Sequence, residues 1–360
     1  MSAPIAKIAL LGSGTVGLAV LRRLAEWQGS ARGEQLRLVY AANTRLALHD
    51  PDGLDPLGCA AKLPDAPRTG ASPAPDALTA LGHDGIRILI DATADAGTAA
   101  RHAACLSTGV HVATACKLAA GTSLDQWRAI NKACVQSSTG FGDRATVGAG
   151  LPLLRSIREL RAGGDHIHAI AGVMSGSLAW LFHHFDGSRP FSELVREARD
   201  AGFTEPDPRE DLSGEDVRRK ILILARAAGF AIESDQVEVR SLVPAELARL
   251  PADQVDANLH LLDESLASLL ELAKFEGCSL RFVARLEDGK ARVGLEKLCP
   301  NDALHGGGGT DNRVAIWSDR YRHQPLVIQG PGAGAEVTAA ALLDDVLHLH
   351  AMATGRALAA

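Results

Sequence analysis

One short stretch of the chain concentrates the side chains best suited to acid–base chemistry. Between positions 202 and 220, six acidic residues precede a single lysine, Lys220. Asp216 lies four residues before this lysine, so the two share one face of a helix. A lysine beside a carboxylate can bind the oxygen of an alcohol and relay its proton when hydride leaves. The stretch therefore predicts a proton-transfer site, with Glu205 and Asp211 as candidates to hold a substrate ammonium.

A purely structural interpretation of this stretch is also open. Ser213 lies three residues before Asp216, as in a helix capping box, and an exposed Asp216–Lys220 pair contributes roughly a few tenths of a kcal/mol. The following residues at 221–224 are apolar around the whole helix circumference. Such a helix is buried, and we expect it to carry both charged side chains inside. Buried charges persist when they are paired and used, which favours a functional site.

A second predicted site is a dinucleotide-binding turn near the N-terminus. The pattern GSGTVG at 12–17 follows an apolar run at 6–11 and opens a helical pattern at 15–28. Its glycines permit a tight turn, a close approach to a pyrophosphate and close helix–strand packing, in that order. The helix N-terminus adds amide donors and a positive dipole end. The predicted dinucleotide contacts here are Gly12, Gly14, Thr15, Val16 and Gly17.

The end of the second predicted strand, at 36–43, bears on the choice between NAD and NADP. An acidic residue there would bind the adenosine ribose of NAD, but this chain has Asn43 and Arg45. Arg45 can meet a 2′-phosphate, which favours NADP and leaves NAD possible, although a solvated loop arginine explains the residue nearly as well. Thr93, which ends the third predicted strand, is a further cofactor candidate.

The pattern of elements predicts the fold that positions these sites. Strand-like runs at 6–11, 36–43, 86–93 and 110–114 alternate with helical patterns at 15–28, 95–107 and 123–136, with an irregular Ala/Pro-rich stretch at 59–81. This order predicts an α/β fold with an N-terminal doubly wound Rossmann-type parallel sheet. After about residue 145, long amphipathic helices and a hairpin around Asp288-Gly289 are typical of a second, α+β domain.

Three segments follow from this division. We predict a dinucleotide-binding domain at 1–145 and a substrate-binding and dimerisation domain at 146–330. A C-terminal segment at 331–360 is predicted to return to the first domain. A chain of 360 residues suits this organisation, because single hydrophobic cores stop growing at roughly 250–300 residues.

Composition argues against several classes of partner. The formal net charge of -6 and the absence of a basic run disfavour nucleic acid. The six cysteines have no metal-ligand spacing and no apolar signal segment precedes the first strand, which indicates a reducing compartment. No apolar run reaches the roughly 18–20 residues of a membrane span. We therefore expect a cytoplasmic protein with no membrane or nucleic-acid partner.

Motifs along nearly the whole chain resemble those of the homoserine dehydrogenase family. The stretch GFTEPDPREDLSGEDVRRK at 202–220 matches that family's signature. The resemblance is nearest to the dehydrogenase half of bifunctional aspartokinase–homoserine dehydrogenases, and we expect no kinase region before it. The accompanying motifs are GSGTVG at 12–17, TACKLAA around Lys117, TVGAGLP at 146–152, SGSLAWLF at 175–182 and GPGAGAEVTAA at 330–340.

This resemblance implies a reaction and a set of site residues. The reaction interconverts L-homoserine and L-aspartate 4-semialdehyde with NAD(P)+ and NAD(P)H, in threonine and methionine biosynthesis. Lys220 and Lys117 would transfer the proton and Asp216 would orient the reacting oxygen, although Lys117 by itself fits a solvated loop lysine equally well. The implied substrate contacts are Glu205, Asp211, Gly176 and Ser177, and Gly332 and Gly334 would close the nicotinamide pocket.

Two positions depart from the family pattern. Phe203 stands where relatives usually carry tyrosine, so a hydroxyl near the substrate is missing. The family also holds a monovalent cation with main-chain carbonyls and a nearby acidic side chain, but here Arg144 occupies the acidic position and Asp143 is displaced by one. The carbonyls of Val147 and Ala149 would still be available to a sodium ion, against the repulsion of the arginine.

The resemblance also bears on assembly and regulation. It implies a homodimer formed through the sheet of the second domain. We expect no threonine-sensing module, because the dehydrogenase motifs use up the 360 residues. Two alternatives stay open, namely another semialdehyde or amino-acid dehydrogenase on the same scaffold and a non-catalytic dinucleotide-binding module. Turnover with a different alcohol would favour the first, and NADPH binding without hydride transfer the second.

Overall fold

The chain folds into two compact units. The computed structural model describes residues 4–65 and 76–355. Unit 1 comprises residues 1–150 together with 333–360, and unit 2 comprises residues 151–332. The C-terminal segment thus belongs to the same unit as the N-terminal sheet. The roles assigned above to the segments 1–145, 146–330 and 331–360 stay predictions.

Unit 1 is built on a six-stranded sheet, and the predicted doubly wound sheet is confirmed. The strand order is 3-2-1-4-5-6, with all neighbours parallel except the short antiparallel edge strand β3. The strand order reverses at β1, so ligands are expected beyond the carboxyl ends of β1 and β4. The strands are β1 (Ala6–Leu11), β2 (Leu36–Ala42), β3 (Ala47–His49), β4 (Ile86–Asp91), β5 (His111–Thr114) and β6 (Phe141–Gly142).

Seven described α-helices cover this sheet. The predicted irregular stretch at 59–81 is wrong at both ends, because Asp55 and Asp76 cap helices by accepting from the amides of residues that follow them. Residues 66–75 of that stretch lie outside the described residues. The helices are α1 (Thr15–Glu26), α2 (Pro56–Lys62), α3 (Ala77–Leu81), α4 (Ala96–Ala100), α5 (His102–Ser107), α6 (Leu124–Ser137) and a C-terminal helix (Ala335–Ala353).

Unit 2 carries a second sheet, of order 12-11-7-9-10-8. Its pairs are antiparallel except β10 with β8. The predicted hairpin at Asp288-Gly289 is confirmed, and both residues have positive φ, as a two-residue turn requires. The pattern analysis missed β7, whose alanines, glycine and histidine give a weak strand signal. The strands are β7 (Ile167–Val173), β8 (Val237–Val239), β9 (Ser279–Glu287), β10 (Lys290–Leu298), β11 (Asp311–Ser318) and β12 (Leu326–Pro331).

The helices of unit 2 correct one detail of the predicted acid-rich segment. Gly214, at φ +79°, separates two helices, so the second begins at Glu215 and the predicted Ser213–Asp216 capping box is wrong. The Ser213 hydroxyl instead donates back to the Glu210 carbonyl at 2.7 Å. The helices are α7 (Leu153–Ala162), α8 (Gly176–His184), α9 (Phe191–Asp200), α10 (Arg209–Leu212), α11 (Glu215–Ala227), α12 (Ala245–Ala248), α13 (Ala252–Val255) and α14 (Asp263–Phe275).

Two of the six cysteines are paired. Cys278 and Cys299 form a disulfide at the open end of the β9–β10 hairpin. This pairing disagrees with the expectation of a reducing compartment, where disulfides are rare. The cytoplasmic location therefore stays a prediction. Within residues 4–65 and 76–355, no helix combines the length and apolar character that crossing a membrane needs.

Candidate active site

The glycine turn of unit 1 separates a packing requirement from a ligand requirement. A Cβ on Gly17 would lie 2.0 Å from the Gly12 carbonyl oxygen, and one on Gly12 would lie 2.8 Å from the Ala92 oxygen. Gly14, by contrast, has no group of another described residue within 4 Å of its Cβ position. The fold itself therefore requires Gly12 and Gly17. Gly14 leaves open space before the N-terminus of α1, where a pyrophosphate could approach the backbone.

The loop after β2 is braced by Asn43. Its side-chain amide donates to the Ser13 hydroxyl at 2.8 Å and to the Leu63 carbonyl at 2.6 Å. Its oxygen accepts from the amides of Arg45 and Leu46. All hydrogen-bonding positions of this side chain are thus in use within the protein, and the cofactor contact expected of Asn43 stays a prediction. The Arg45 guanidinium meets a neutral carbonyl, that of Pro64, at 3.2 Å.

A buried network that the sequence analysis missed holds Thr93. Asp91, the last residue of β4, is fully buried and accepts from both the amide and the hydroxyl of Thr93. Its second oxygen lies 2.9 Å from His102 Nε2 and accepts from the Thr114 hydroxyl. The sequence feature that could have identified this network is an acidic residue, Asp91, at the end of an apolar parallel strand. Lys117 follows β5 on this same carboxyl edge of the sheet, half-buried.

Lys220 is the buried charge at the centre of the site residues in unit 2. Its Nζ lies 2.8 Å from an Asp216 carboxylate oxygen and donates to the Met174 carbonyl at 2.7 Å. The lysine is 8% exposed, but the Asp216 side chain is 44% exposed. The expectation that both charges are buried is therefore right only for Lys220, because Asp216 lies in the first turn of α11, one turn from its buried stretch.

The predicted substrate residues meet around Asp211. Its carboxylate accepts from the Ser177 hydroxyl at 2.7 Å and from the Glu205 amide at 2.9 Å. Gly176 begins α8, directly before Ser177, and the Ser175 side chain caps that helix. The Glu205 side chain is exposed. Glu205, Asp211 and Asp216 are three of the six acidic residues that precede Lys220 in this segment, and their negative charge is suited to binding a substrate ammonium.

The loop that carries Glu205 is held by neighbouring side chains. Asp207 pairs with Arg209 at 2.6 Å, and the hydrogen bonds from Arg209 lower the pKa of the Asp207 carboxyl. Arg209 also donates to the Leu250 carbonyl at 2.7 Å. The ring of Phe203 lies 5.3 Å from that of Trp180. The loop is thus fixed by an ion pair and by ring packing.

The Met174 carbonyl is a functional group that sequence analysis missed. It follows the last residue of β7 and is fully buried. A main-chain oxygen has no residue signature, so its pairing with Lys220 could not be predicted. The pairing is found only in the tertiary structure, where Met174, directly after the missed strand β7, meets Lys220 of α11.

The position of Arg144 bears on the predicted cation site of unit 1. Its guanidinium lies 3.1 Å from a carboxylate oxygen of the buried Asp345, and its amide donates to the same carboxylate. Its charge is therefore compensated and directed at Asp345. Val147 and Ala149 are buried, and Ala149 has φ +50°. Within the described ranges, no group of three or more His, Cys, Asp or Glu side chains is arranged to hold a metal ion.

A glycine turn at the switch point of a doubly wound sheet, with a buried lysine paired to a partly exposed carboxylate in a second unit, is typical of the class of dinucleotide-binding dehydrogenases. Comparison with protein families narrows this class. Residues 12–139 match the NAD-binding domain of homoserine dehydrogenase, and residues 152–347 match the homoserine dehydrogenase domain. The chain belongs to the homoserine dehydrogenase family, whose members are NAD(P)-dependent oxidoreductases.

Individual relatives agree with this placement. The Escherichia coli bifunctional aspartokinase/homoserine dehydrogenase 2 is 42% identical over 95% of this chain, which spans only 43% of that protein. A homoserine dehydrogenase of Emericella nidulans is 35% identical, covering 96% of this chain and 98% of the relative. A hyperthermophilic archaeal homoserine dehydrogenase, solved in complex with NADPH, shares the fold with a TM-score of 0.72 at 21% identity, over 95% of this chain and 96% of that one.

Proposed function

We propose that this chain interconverts L-homoserine and L-aspartate 4-semialdehyde with a nicotinamide dinucleotide. The observation that carries the proposal is the buried Lys220, held between Asp216 and the Met174 carbonyl. Two of the three ammonium hydrogens are used by these partners. No further partner of Lys220 is found among the described residues, so the third hydrogen can meet a substrate oxygen.

The residues of unit 2 account for the proton chemistry. The nicotinamide supplies or accepts the hydride when it is bound. In the reducing direction the Lys220 ammonium donates a hydrogen bond to the aldehyde oxygen and then its proton as the alcohol forms. In the oxidising direction the neutral amine takes that proton back. Glu205 and Asp211 supply negative charge for the substrate ammonium, and Lys117 stays a predicted second participant in proton transfer.

A direct assay tests this proposal. Purified protein with L-homoserine and NADP+ should form reduced cofactor, followed by its absorbance. L-2-aminobutyrate, which keeps the ammonium and carboxylate but lacks the hydroxyl, is the matched control and should give no signal. Turnover only with a different alcohol, or NADPH binding without any hydride transfer, would contradict the proposal.

We further propose a preference for NADP, which Arg45 supports because no described carboxylate neutralises it. Arg45→Ala should lower kcat/KM for NADP+ about tenfold, the order of one charged hydrogen bond, and leave the value for NAD+ nearly unchanged. Arg37→Ala, at the opposite end of β2, is the matched control. An unchanged NADP+/NAD+ ratio in Arg45→Ala would remove the arginine from cofactor selection.

We propose a sodium ion on the main-chain oxygens of Val147 and Ala149. The left-handed backbone at Gly148 and Ala149 makes a tight buried turn, and Asp345 compensates the nearby charge of Arg144. Hard cations prefer oxygen ligands of this kind. The thermal midpoint in sodium chloride, compared with equal choline chloride, measures the interaction without depending on activity.

We propose a homodimer formed through unit 2. The helix α14 presents large exposed apolar side chains, including Leu272 at 47% and Phe275 at 89% exposure. Grouped exposed apolar side chains are typical of interaction surfaces. Light scattering over a range of protein concentrations gives the mass that tests this assembly.

A further inference from the structure

A second side chain touches the group that holds Lys220. Asn312, in β11, is fully buried, and its amide nitrogen lies 3.4 Å from the Met174 carbonyl oxygen. Lys220 donates to the same oxygen at 2.7 Å. The carbonyl therefore accepts from both donors, one on a strand and the other on α11. Its position, and with it the direction of the lysine amine, depends on both.

The side-chain oxygen of Asn312 lies in an unfavourable environment. Its Oδ1 is buried and accepts no hydrogen bond from the described residues. An unsatisfied buried acceptor is destabilising, so an apolar side chain of similar size would serve folding better. A buried polar group kept at such a disadvantage calls for a functional explanation.

Gly332 packs directly on this amide. A Cβ on Gly332 would lie 2.0 Å from both Cγ and Nδ2 of Asn312. The structure thus gives a reason for a glycine at 332 that does not involve a cofactor. It also provides a way to displace the amide without changing residue 312.

We propose that Asn312 is a positioning residue for the reaction. It holds the Met174 carbonyl so that this oxygen directs the Lys220 amine, while Gly332 leaves the space that the amide needs. This inference rests on the proposed function for its catalytic consequence only. The mechanical part, that Asn312 controls the environment of Lys220, stands on the contacts alone.

Kinetic variants test the catalytic part. Asn312→Ala should lower kcat about ten- to hundredfold, because small misplacements of a catalytic group have effects of this order, with little change in KM for the cofactor. Asn312→Asp, which keeps the size but loses the donor, should fall comparably. Ser318→Ala removes another fully buried polar side chain from β11, one that bonds Asp165, and should leave kcat unchanged. Wild-type kcat in Asn312→Ala overturns the proposal.

A double substitution tests whether Asn312 and Gly332 act through the same packing contact. Gly332→Ala should reproduce the loss in kcat, because its methyl group displaces the amide. In an Asn312→Ala background that methyl has room, so Gly332→Ala should cause little further loss. Losses that multiply would show that the two residues act separately and would overturn the coupling.

A chemical readout tests the mechanical part without homoserine turnover. The acylation rate of Lys220, followed by mass spectrometry of its peptide, should rise severalfold in Asn312→Ala and in Gly332→Ala, and not in Ser318→Ala. An unchanged rate in the first two refutes the positioning role even if the wild-type enzyme is active. A raised rate in a protein that does not oxidise homoserine supports the positioning role and refutes only the proposed reaction.

Discussion

Lys220→Ala should lower kcat for homoserine oxidation by about 10²–10⁴-fold, the range for loss of a general acid–base group. The substitution removes one of the two donors to the Met174 carbonyl and the lysine partner of Asp216. NADPH affinity should stay near the wild-type value, because the glycine turn lies in unit 1. Steady-state kinetics and a fluorescence titration of NADPH measure the two quantities separately.

The matched control for this variant is another lysine of unit 2. Lys290 is exposed at the start of β10, outside the proposed site and outside α14. Lys290→Ala should therefore leave kcat unchanged, since substitutions of exposed surface residues have small effects. A kcat for Lys220→Ala within a factor of two or so of the wild type would exclude the lysine from proton transfer.

The glycine turn yields the second large effect. Gly14→Ala should weaken NADPH binding at least about tenfold and leave the thermal midpoint nearly unchanged, because its methyl group would meet none of the described residues but would occupy the path of the pyrophosphate. Gly17→Ala should instead destabilise the fold by about 1–3 kcal/mol or more, because its methyl group lies 2.0 Å from the Gly12 oxygen.

Each of these two variants serves as the control for the other. Thermal denaturation without cofactor should show that Gly17→Ala is the less stable variant. Titration with NADPH, at a temperature at which both variants are folded, should show that Gly14→Ala is the weaker binder. Equal loss of stability in both, or wild-type affinity in Gly14→Ala, would show that the second glycine is not reserved for a ligand.

The fold of unit 1 was accessible from local patterns. Apolar runs followed by helical periodicity predicted β1, α1, β2, β4 and β5, and their alternation predicted the parallel sheet. The helices at Pro56–Lys62 and Ala77–Leu81 were missed because they begin or end in a stretch rich in alanine and proline. That composition outweighed Asp55 and Asp76, which cap the two helices through local hydrogen bonds to the residues that follow them.

For the candidate site, too, local patterns predicted some features, and others depended on packing. Residue types and spacing were sufficient to bring forward Lys220, Asp216 and the glycine turn, because helix geometry fixes which residues four apart share a face. The prediction that Asp216 is buried was wrong, because the exposure of a first helical turn depends on the elements that pack around it.

The sequence by itself determined the element order of unit 1, the glycine turn, the buried face of α11 and the family resemblance. Only the tertiary structure decided that Lys220 meets the Met174 carbonyl and that Asn312 and Gly332 lie against one another. Helix and strand patterns depend on residues that are close along the chain, so the types of those residues are sufficient to predict them. Contacts between elements remote in sequence arise from packing, and a main-chain oxygen has the same chemistry at every residue, so no residue type marks it.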